Sequence, residues 1–361
     1  MNGHPYLTID LGKIEHNTRT IVALCSKHGI EVAGVTKVSC GHPEVAKAML
    51  RGGVTSIADS RFENIQRLKD AGIQTTFMLL RIPPLSAVDK TVELTDVSLN
   101  SELSVLEGLS KAAAQRNKVH EVIIMVDLGD LREGVWPDEL MPFMRAAVKL
   151  RNIKIKGLGT NLACFSGVEP NTKNMQQLAQ LADQVRKDFN LALPWLSGIN
   201  SSGLRLIASG GMPEQINHAR IGEAILLGRE TLRRQPWPGT HQDAFILHAE
   251  VLEQKLKPSA PRGKRSEDAF GEQPAFEDRG MIDRLLVNAG REDIDIHGTT
   301  PVDSRLKILG ASSGYLAIDA TASKGQYKVG DKISFTLNYS ALLTAMTSEY
   351  VKKRAVGATP Q

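Results

Sequence analysis

The strongest constraint on this chain is a unit that recurs from residue 31 to residue 228: a short β-branched run, a turn, then a helical pattern. The runs read EVAGVTK, TSIADS, TTFMLLRI, TDVSLNS, EVIIMVDLG, IKIKGLGTNLA, PWLSGINSS and INHARIGEAILLG. Between them lie stretches such as HPEVAKAMLRGG, RFENIQRLKDAG and TKNMQQLAQLADQVRKDFN, with apolar residues three and four apart and Gly or Asn at the end. That spacing describes an amphipathic helix, and that ending a helix C-terminus. Apolar strands alternating with such helices build a parallel sheet covered on both faces. Eight of them fit a closed (β/α)8, TIM-type barrel better than an open doubly wound sheet. The first turn, TKVSCGHPE, lacks the glycine spacing that a dinucleotide site in an open sheet requires.

The texture changes near RRQPWPGTHQDAF. The later runs FILHAEVLEQKLK, RLLVNAG, LKILGASSGYLAIDAT and YKVGDKISFTLNYSALL alternate, are broken by Gly, Pro and Asp, and read as a mostly antiparallel β-domain. The expected division is residues 11–236 for the barrel, and residues 1–10 with 237–361 for the β-domain. Between two of the later runs, SAPRGKRSEDAFGEQPAFEDRG is polar and long, and a loop of that length is more often functional than idle. A hydrophobic share of 42% and a charged share of 23% describe a soluble globular protein. A net charge of +4 with no basic stripe argues against nucleic acid. No apolar run approaches the ~20 residues that span a bilayer. Cys25, Cys40 and Cys164 are few and far apart, which fits the reducing cytoplasm. The histidines form no HxxxH and the cysteines no CxxC pair, so no metal site is expected.

In a (β/α)8 barrel the chemistry lies where strands end and helices begin. Lys37 ends the first run, Arg132 follows VDLGD, and Asn161 follows GLGT. Asn200, Ser201 and Ser202 belong to GINSSG, and Arg220 and Gly222 to HARIGEA. A strand-end lysine ordinarily snorkels to water; the alternative is an amine able to form a Schiff base. NSSG alone reads equally as a helix N-cap, and Arg220 alone as an arginine tying strands together. A lysine and two phosphate-suited turns on one rim are a different matter. Pyridoxal 5'-phosphate needs that combination, an amine for its aldehyde and a cradle for its phosphate.

On the motifs TIDLGKIEHN, VTKV, VDLGDLREG, GINSSG, ARIGEAILLG and SEYVKKR, the chain resembles the alanine-racemase-like, fold-type III pyridoxal-phosphate enzymes, nearest to their ornithine racemase branch. The resemblance runs over nearly the whole chain. It implies racemisation of a free basic amino acid, ornithine or lysine, by two-base proton transfer at Cα. It makes Lys37 the Schiff-base lysine and Arg132 the contact to the cofactor phenolate and the substrate carboxylate. Asn200, Ser201, Ser202 and Gly222 become cofactor contacts around the phosphate, with Tyr350 reaching the same group. Arg220 falls at the pyridine nitrogen. Arginine hardly gives up a proton, so the ring beside it is a weaker electron sink, which favours racemisation over transamination. The resemblance also implies a head-to-tail homodimer in which the partner's β-domain completes each site.

Departures from that pattern matter as much. The family's tyrosine shortly after the lysine is missing, which leaves Ser39, turn amides or His42 to hold phosphate. Asn161 stands where alanine racemases have histidine. Their catalytic tyrosine precedes a glycine in the β-domain; here EDAFG puts Phe270 in its place, and phenylalanine transfers no proton. Asp268 is the candidate counterpart of Lys37, as a base if burial raises its pKa, or as a salt-bridge partner for the substrate's distal amine. Tyr339 and Tyr315 are the other candidates. Two competing readings remain: a metal-dependent lyase on the same scaffold, and a non-catalytic pyridoxal-phosphate carrier. The second domain argues against the carrier.

Overall fold

The computed structural model describes residues 3–357, which fall into two compact units. One is Leu11–Gln242; the other takes the residues up to Asp10 and from Asp243 onward. Strand β1 (Tyr6–Asp10) belongs to the second unit, and helix α1 (Leu11–Ser26) opens the first. All eight expected barrel strands form: β2 (Glu31–Val35), β3 (Ser56–Asp59), β4 (Thr76–Leu79), β5 (Val97–Asn100), β6 (His120–Met125), β7 (Ile153–Gly159), β8 (Trp195–Ile199) and β9 (His218–Ile221). They pair in parallel in that order, and β9 closes on β2. Helices α2 (Pro43–Arg51), α3 (Phe62–Asp70), α4 (Val88–Leu94), α5 (Leu103–Gln115), α6 (Leu140–Ala147), α7 (Thr172–Phe189), α8 (Leu204–Ala208) and α9 (Glu223–Leu226) follow strands in turn.

Residues two apart on a strand share a face. Val97 and Leu99, and Ile123 and Met125, accordingly meet Ala33, Ala58 and Met78 in one apolar cluster. The β7–β8 contact is closer than most side chains permit. A Cβ on Gly157 would lie 1.8 Å from the Trp195 carbonyl oxygen on the paired strand. The chain of residues 229–242 stays with the barrel because it folds back on it: Trp237 N–H donates to Gly228 O at 2.8 Å, and His241 N–H to Asn17 Oδ1 at 2.7 Å.

In the second unit the long β10 (Phe245–Pro258) pairs antiparallel with β1, β11 (Met281–Val287) and β15 (Lys332–Leu337). Strand β12 (Thr299–Pro301) borders β15, while β13 (Lys307–Ala311) and β14 (Leu316–Asp319) extend the sheet beyond β11. Strand β16 (Lys352–Val356) runs parallel to β1, an exception to the antiparallel pattern. The run YKVGDKISFTLNYSALL is not strand throughout. It ends as helix α10 (Tyr339–Thr347), because Asn338 caps it by accepting from Ala341 N–H at 2.9 Å and SALLTAMT is rich in Ala and Leu. Residues 259–280 join β10 to β11 without helix or strand.

The Gly157 contact is testable. Gly157→Ala forces a backbone carbonyl aside, and should destabilise the protein by about 3 kcal/mol. An unchanged urea midpoint would show that the β7–β8 approach is not tight.

Candidate active site

Five consecutive strands of the closed barrel, β6, β7, β8, β9 and β2, are followed by Arg132, Asn161, Asn200–Ser202, Gly222 and Lys37. Lys37 begins a short 3-10 turn, Lys37–Ser39, directly after β2. Its neighbour Thr36 is fixed by N–H donation to Ala58 O at 3.0 Å and by a hydroxyl bond to Asp59 Oδ2 at 2.7 Å. Asp59 is fully buried, which pushes its pKa up, and it also accepts from Ser60 N, Arg61 N and Asn64 Nδ2. Gly41 completes the turn at φ +58°, where a Cβ would strike Asn64 at 2.7 Å. The backbone at Lys37 is thereby held from β3, and the half-buried side chain starts from a fixed point.

The two phosphate-suited turns are joined. Ser201 Oγ accepts from Ala224 N–H at 3.1 Å, tying the turn after β8 to the start of α9. Ser201 and Ser202 are both buried. Asn200 caps its own turn, accepting from Ser202 N–H at 2.7 Å and donating to Leu162 O at 2.9 Å. Gly222 sits against Val35, whose Cβ would lie 3.0 Å from a Cβ there. Across the β2–β9 pairing, then, the second turn comes close to the strand that ends at Lys37.

Arg220 lies buried in the barrel. Nη1 donates to Ser197 O at 2.8 Å and to Ser197 Oγ, and Nη2 to Thr160 O at 2.6 Å. Burial lowers its pKa to about 10, with Glu133 opposing the shift and Arg132 adding to it, so it remains a cation at neutral pH. Since arginine only donates, Ser197 Oγ accepts from it, and the same hydroxyl is hydrogen-bonded to His218 Nδ1 at 2.6 Å. Burial keeps the His218 ring neutral, and its Nε2 is buried with no hydrogen-bond partner. Its ring stacks on Trp195 at 4.2 Å, with Lys156 Nζ 4.0 Å from the Trp195 ring centre.

Arg132 stands on a rigid loop. Asp127 Oδ1 accepts from Gly129 and Leu131 N–H, and the buried Asp130 carboxylate accepts from Cys164, Phe165 and Val168 N–H. Leu131 takes φ +55°, and a Cβ on Gly134 would lie 2.3 Å from Asp127 N. Arg132 pairs through Nε and Nη2 with both oxygens of Glu133, and Nη1 reaches Cys164 Sγ. With its amide oxygen turned toward the guanidinium, Asn161 accepts from Arg132 at 2.8 and 3.0 Å.

Residues 9–230 match the model of the alanine racemase N-terminal domain. The chain is 45% identical to the ornithine racemase of Acetoanaerobium sticklandii over 351 residues, covering 97% of this chain and 99% of that one. The chain belongs to the alanine racemase family. It is also 38% identical to the lysine racemase of Thermotoga maritima, over 97% of this chain and 98% of that one. In fold it is similar to the alanine racemase of Bartonella henselae with covalently bound pyridoxal phosphate, at TM-score 0.76 and 19% identity, covering 98% and 99% of the two chains.

Several residues of this family member escaped the motifs. Ser197 and His218 carry no signal beyond alternation along a strand. Glu133 was visible as an acid beside Arg132. In the second unit, Asp268 is half-buried, with exposed residues on either side of it; its Oδ1 accepts from Phe270 N–H at 2.8 Å and Glu272 N–H at 2.9 Å, and these bonds hold its pKa down. The burial that a base at this position requires is not supplied by the chain's own loop. Phe270 lies under the Arg291 guanidinium at 4.2 Å. Tyr315 is exposed between β13 and β14; Tyr339 opens α10 rather than lying on a strand or turn; Tyr350 is exposed before β16.

The buried histidines set a pH dependence. Burial, then the charges of Arg220 and Lys156, depress the His218 pKa well below 6.5, so the unfolded chain takes up the proton first. Its stabilising share is complete above about pH 6.5 and is lost as the pH falls below that. His120, buried and hydrogen-bonded to Ser98 Oγ at 2.8 Å, has a pKa of about 4 and acts in the same direction. The melting temperature should fall as the pH drops through this window, and His218→Gln should flatten the fall. A melting temperature independent of pH there would contradict the neutral assignment.

Proposed function

We propose that this protein racemises a basic amino acid, ornithine or lysine, with pyridoxal phosphate as cofactor. The observation that carries the reading is the closure of β9 on β2, which brings Lys37, the joined Ser201 and Gly222 turns, and Arg220 to neighbouring strand ends. The named activities of the two full-length relatives support the basic substrate.

The residues present fit the cofactor. Ser201 and Ser202 are buried polar groups beside a glycine turn, and Thr160 Oγ1 is buried without a partner next to the arginine bound to its carbonyl. Bound there, pyridoxal phosphate supplies an aldehyde for the amino group and a conjugated ring that draws electrons from Cα. Lys37 Nζ holds the amine end and moves the proton at Cα on one face. Ser201, Ser202 and Gly222, with Asn200 shaping the turn, hold the phosphate, joined by Tyr350. Arg132 orients the α-carboxylate. Arg220 meets the ring nitrogen as a donor.

The base on the other face is Asp268, with Tyr315 and Tyr339 as alternatives, supplied by the partner in a head-to-tail homodimer. A second protomer would also provide the burial that Asp268 lacks in its own loop. The scattered cysteines fit a cytoplasmic enzyme, and no helix among the described residues is long and apolar enough to cross a membrane.

Replacing Lys37 with alanine should abolish the long-wavelength absorption of the holoenzyme and cut deuterium uptake at Cα of ornithine by at least ~100-fold. Retention of both would overturn the reading. Light scattering under assay conditions tests assembly: a fully active monomer would remove the shared site.

A further inference from the structure

The loop after β6 carries three acids, and they are used differently. Asp127 and Asp130 accept from backbone amides and so hold the loop's shape. Glu133 instead turns its carboxylate to the guanidinium of Arg132, the residue assigned above to the substrate carboxylate. Its side chain is 15% exposed and that of Arg132 35%, so the pair sits partly withdrawn from water. Beneath it the backbone takes a tight course, with Leu131 at φ +55° and no room for a Cβ at Gly134. Glu133 also lies close enough to Arg220 to oppose the lowering of its pKa, but the hydrogen bonds of Arg220 go to Ser197 and Thr160.

Arg132 therefore already holds a carboxylate, and a substrate must exchange for it. A neutral amino acid brings one carboxylate to Arg132 and leaves Glu133 half-buried without a partner, an expensive state for a charge. A diamino acid brings a carboxylate and a distal ammonium, so both members of the pair find a new partner. We infer that Glu133 is the specificity residue of this site: it releases Arg132 to the substrate's α-carboxylate and receives the distal ammonium. The inference rests on the basic-amino-acid reading and deepens it. Asp268, which the sequence offers either as the base or as the salt-bridge partner, is less suited to the second role, since its Oδ1 is engaged by two amides of its own turn.

The test compares L-ornithine with L-norvaline, which has the same carbon skeleton without the distal amine. Dissociation constants come from spectral titration of the holoenzyme, alongside KM and kcat. In Glu133→Gln, nearly isosteric and uncharged, the ornithine constant should rise on the order of 10- to 100-fold, the range for a lost hydrogen bond to a charge. Norvaline should bind more tightly, because Arg132 has lost its competing anion. The ornithine effect should fall on KM more than on kcat, and Glu133→Asp, which keeps the charge, should retain much of the preference. If both ligands weaken together, Glu133 merely positions Arg132, and the inference fails; an unchanged ornithine-to-norvaline ratio defeats it as well. A wild-type holoenzyme that neither binds nor racemises ornithine or lysine would instead defeat the functional reading.

Discussion

The structure depends on the closure between β9 and β2. The register that sets Ala33 opposite Arg220 and Gly34 opposite Ile221 turns an eight-strand run into a ring without edges. In an open sheet the first and last strands of such a series lie far apart, and Lys37 and Gly222 would share nothing. In the ring they follow neighbouring strands, and the bare Cα of Gly222 lets that turn approach Val35. Lys37, Gly222 and Arg220 inherit their neighbouring positions from this one seam.

Closure also creates an interior, and that interior is divided. From β2 to β6 it is apolar, filled by Ala33, Ala58, Met78, Leu99, Ile123 and Met125. Toward β8 and β9 it holds a serine, a histidine and an arginine, all buried. Burying a guanidinium is costly unless its protons find acceptors, and here two main-chain carbonyls and a hydroxyl accept them. Small residues make the room. A Cβ on Gly159 would lie 3.1 Å from the Ser197 carbonyl oxygen, one of the atoms that receives Arg220.

Much of this was legible in the sequence because it is local. Strand, turn and helix alternate with their own periods, and Lys37, Ser201 and Gly222 stand at strand exits that those periods define. The run ending in α10 misled because alternation before Asn338 hides a cap whose partner, Ala341, lies beyond it. The Ser197–His218 pair was illegible for another reason. Each residue looks like an ordinary strand position, and only the pairing of two strands reveals that they share a proton. The role of Glu133 hid behind its neighbour: VDLGDLREG announces the arginine, while the acid beside it matters only once the side chains are seen paired.

The direction of the hydrogen bonds in the polar half of the barrel bears on what the site can do. Arg220 donates to Ser197 Oγ, which is in turn hydrogen-bonded to His218 Nδ1, and His218 Nε2 is buried without a partner. The Arg220 end of this chain is the one assigned to the ring nitrogen. The bond from Arg220 to Ser197 cannot be reversed, because a guanidinium does not accept. A charge on His218 is opposed by burial and by Arg220 and Lys156. The barrel therefore offers a fixed positive charge at that end and no proton. A ring so placed withdraws electrons only weakly, and proton return is left to groups poised at Cα, which is the balance a racemase requires.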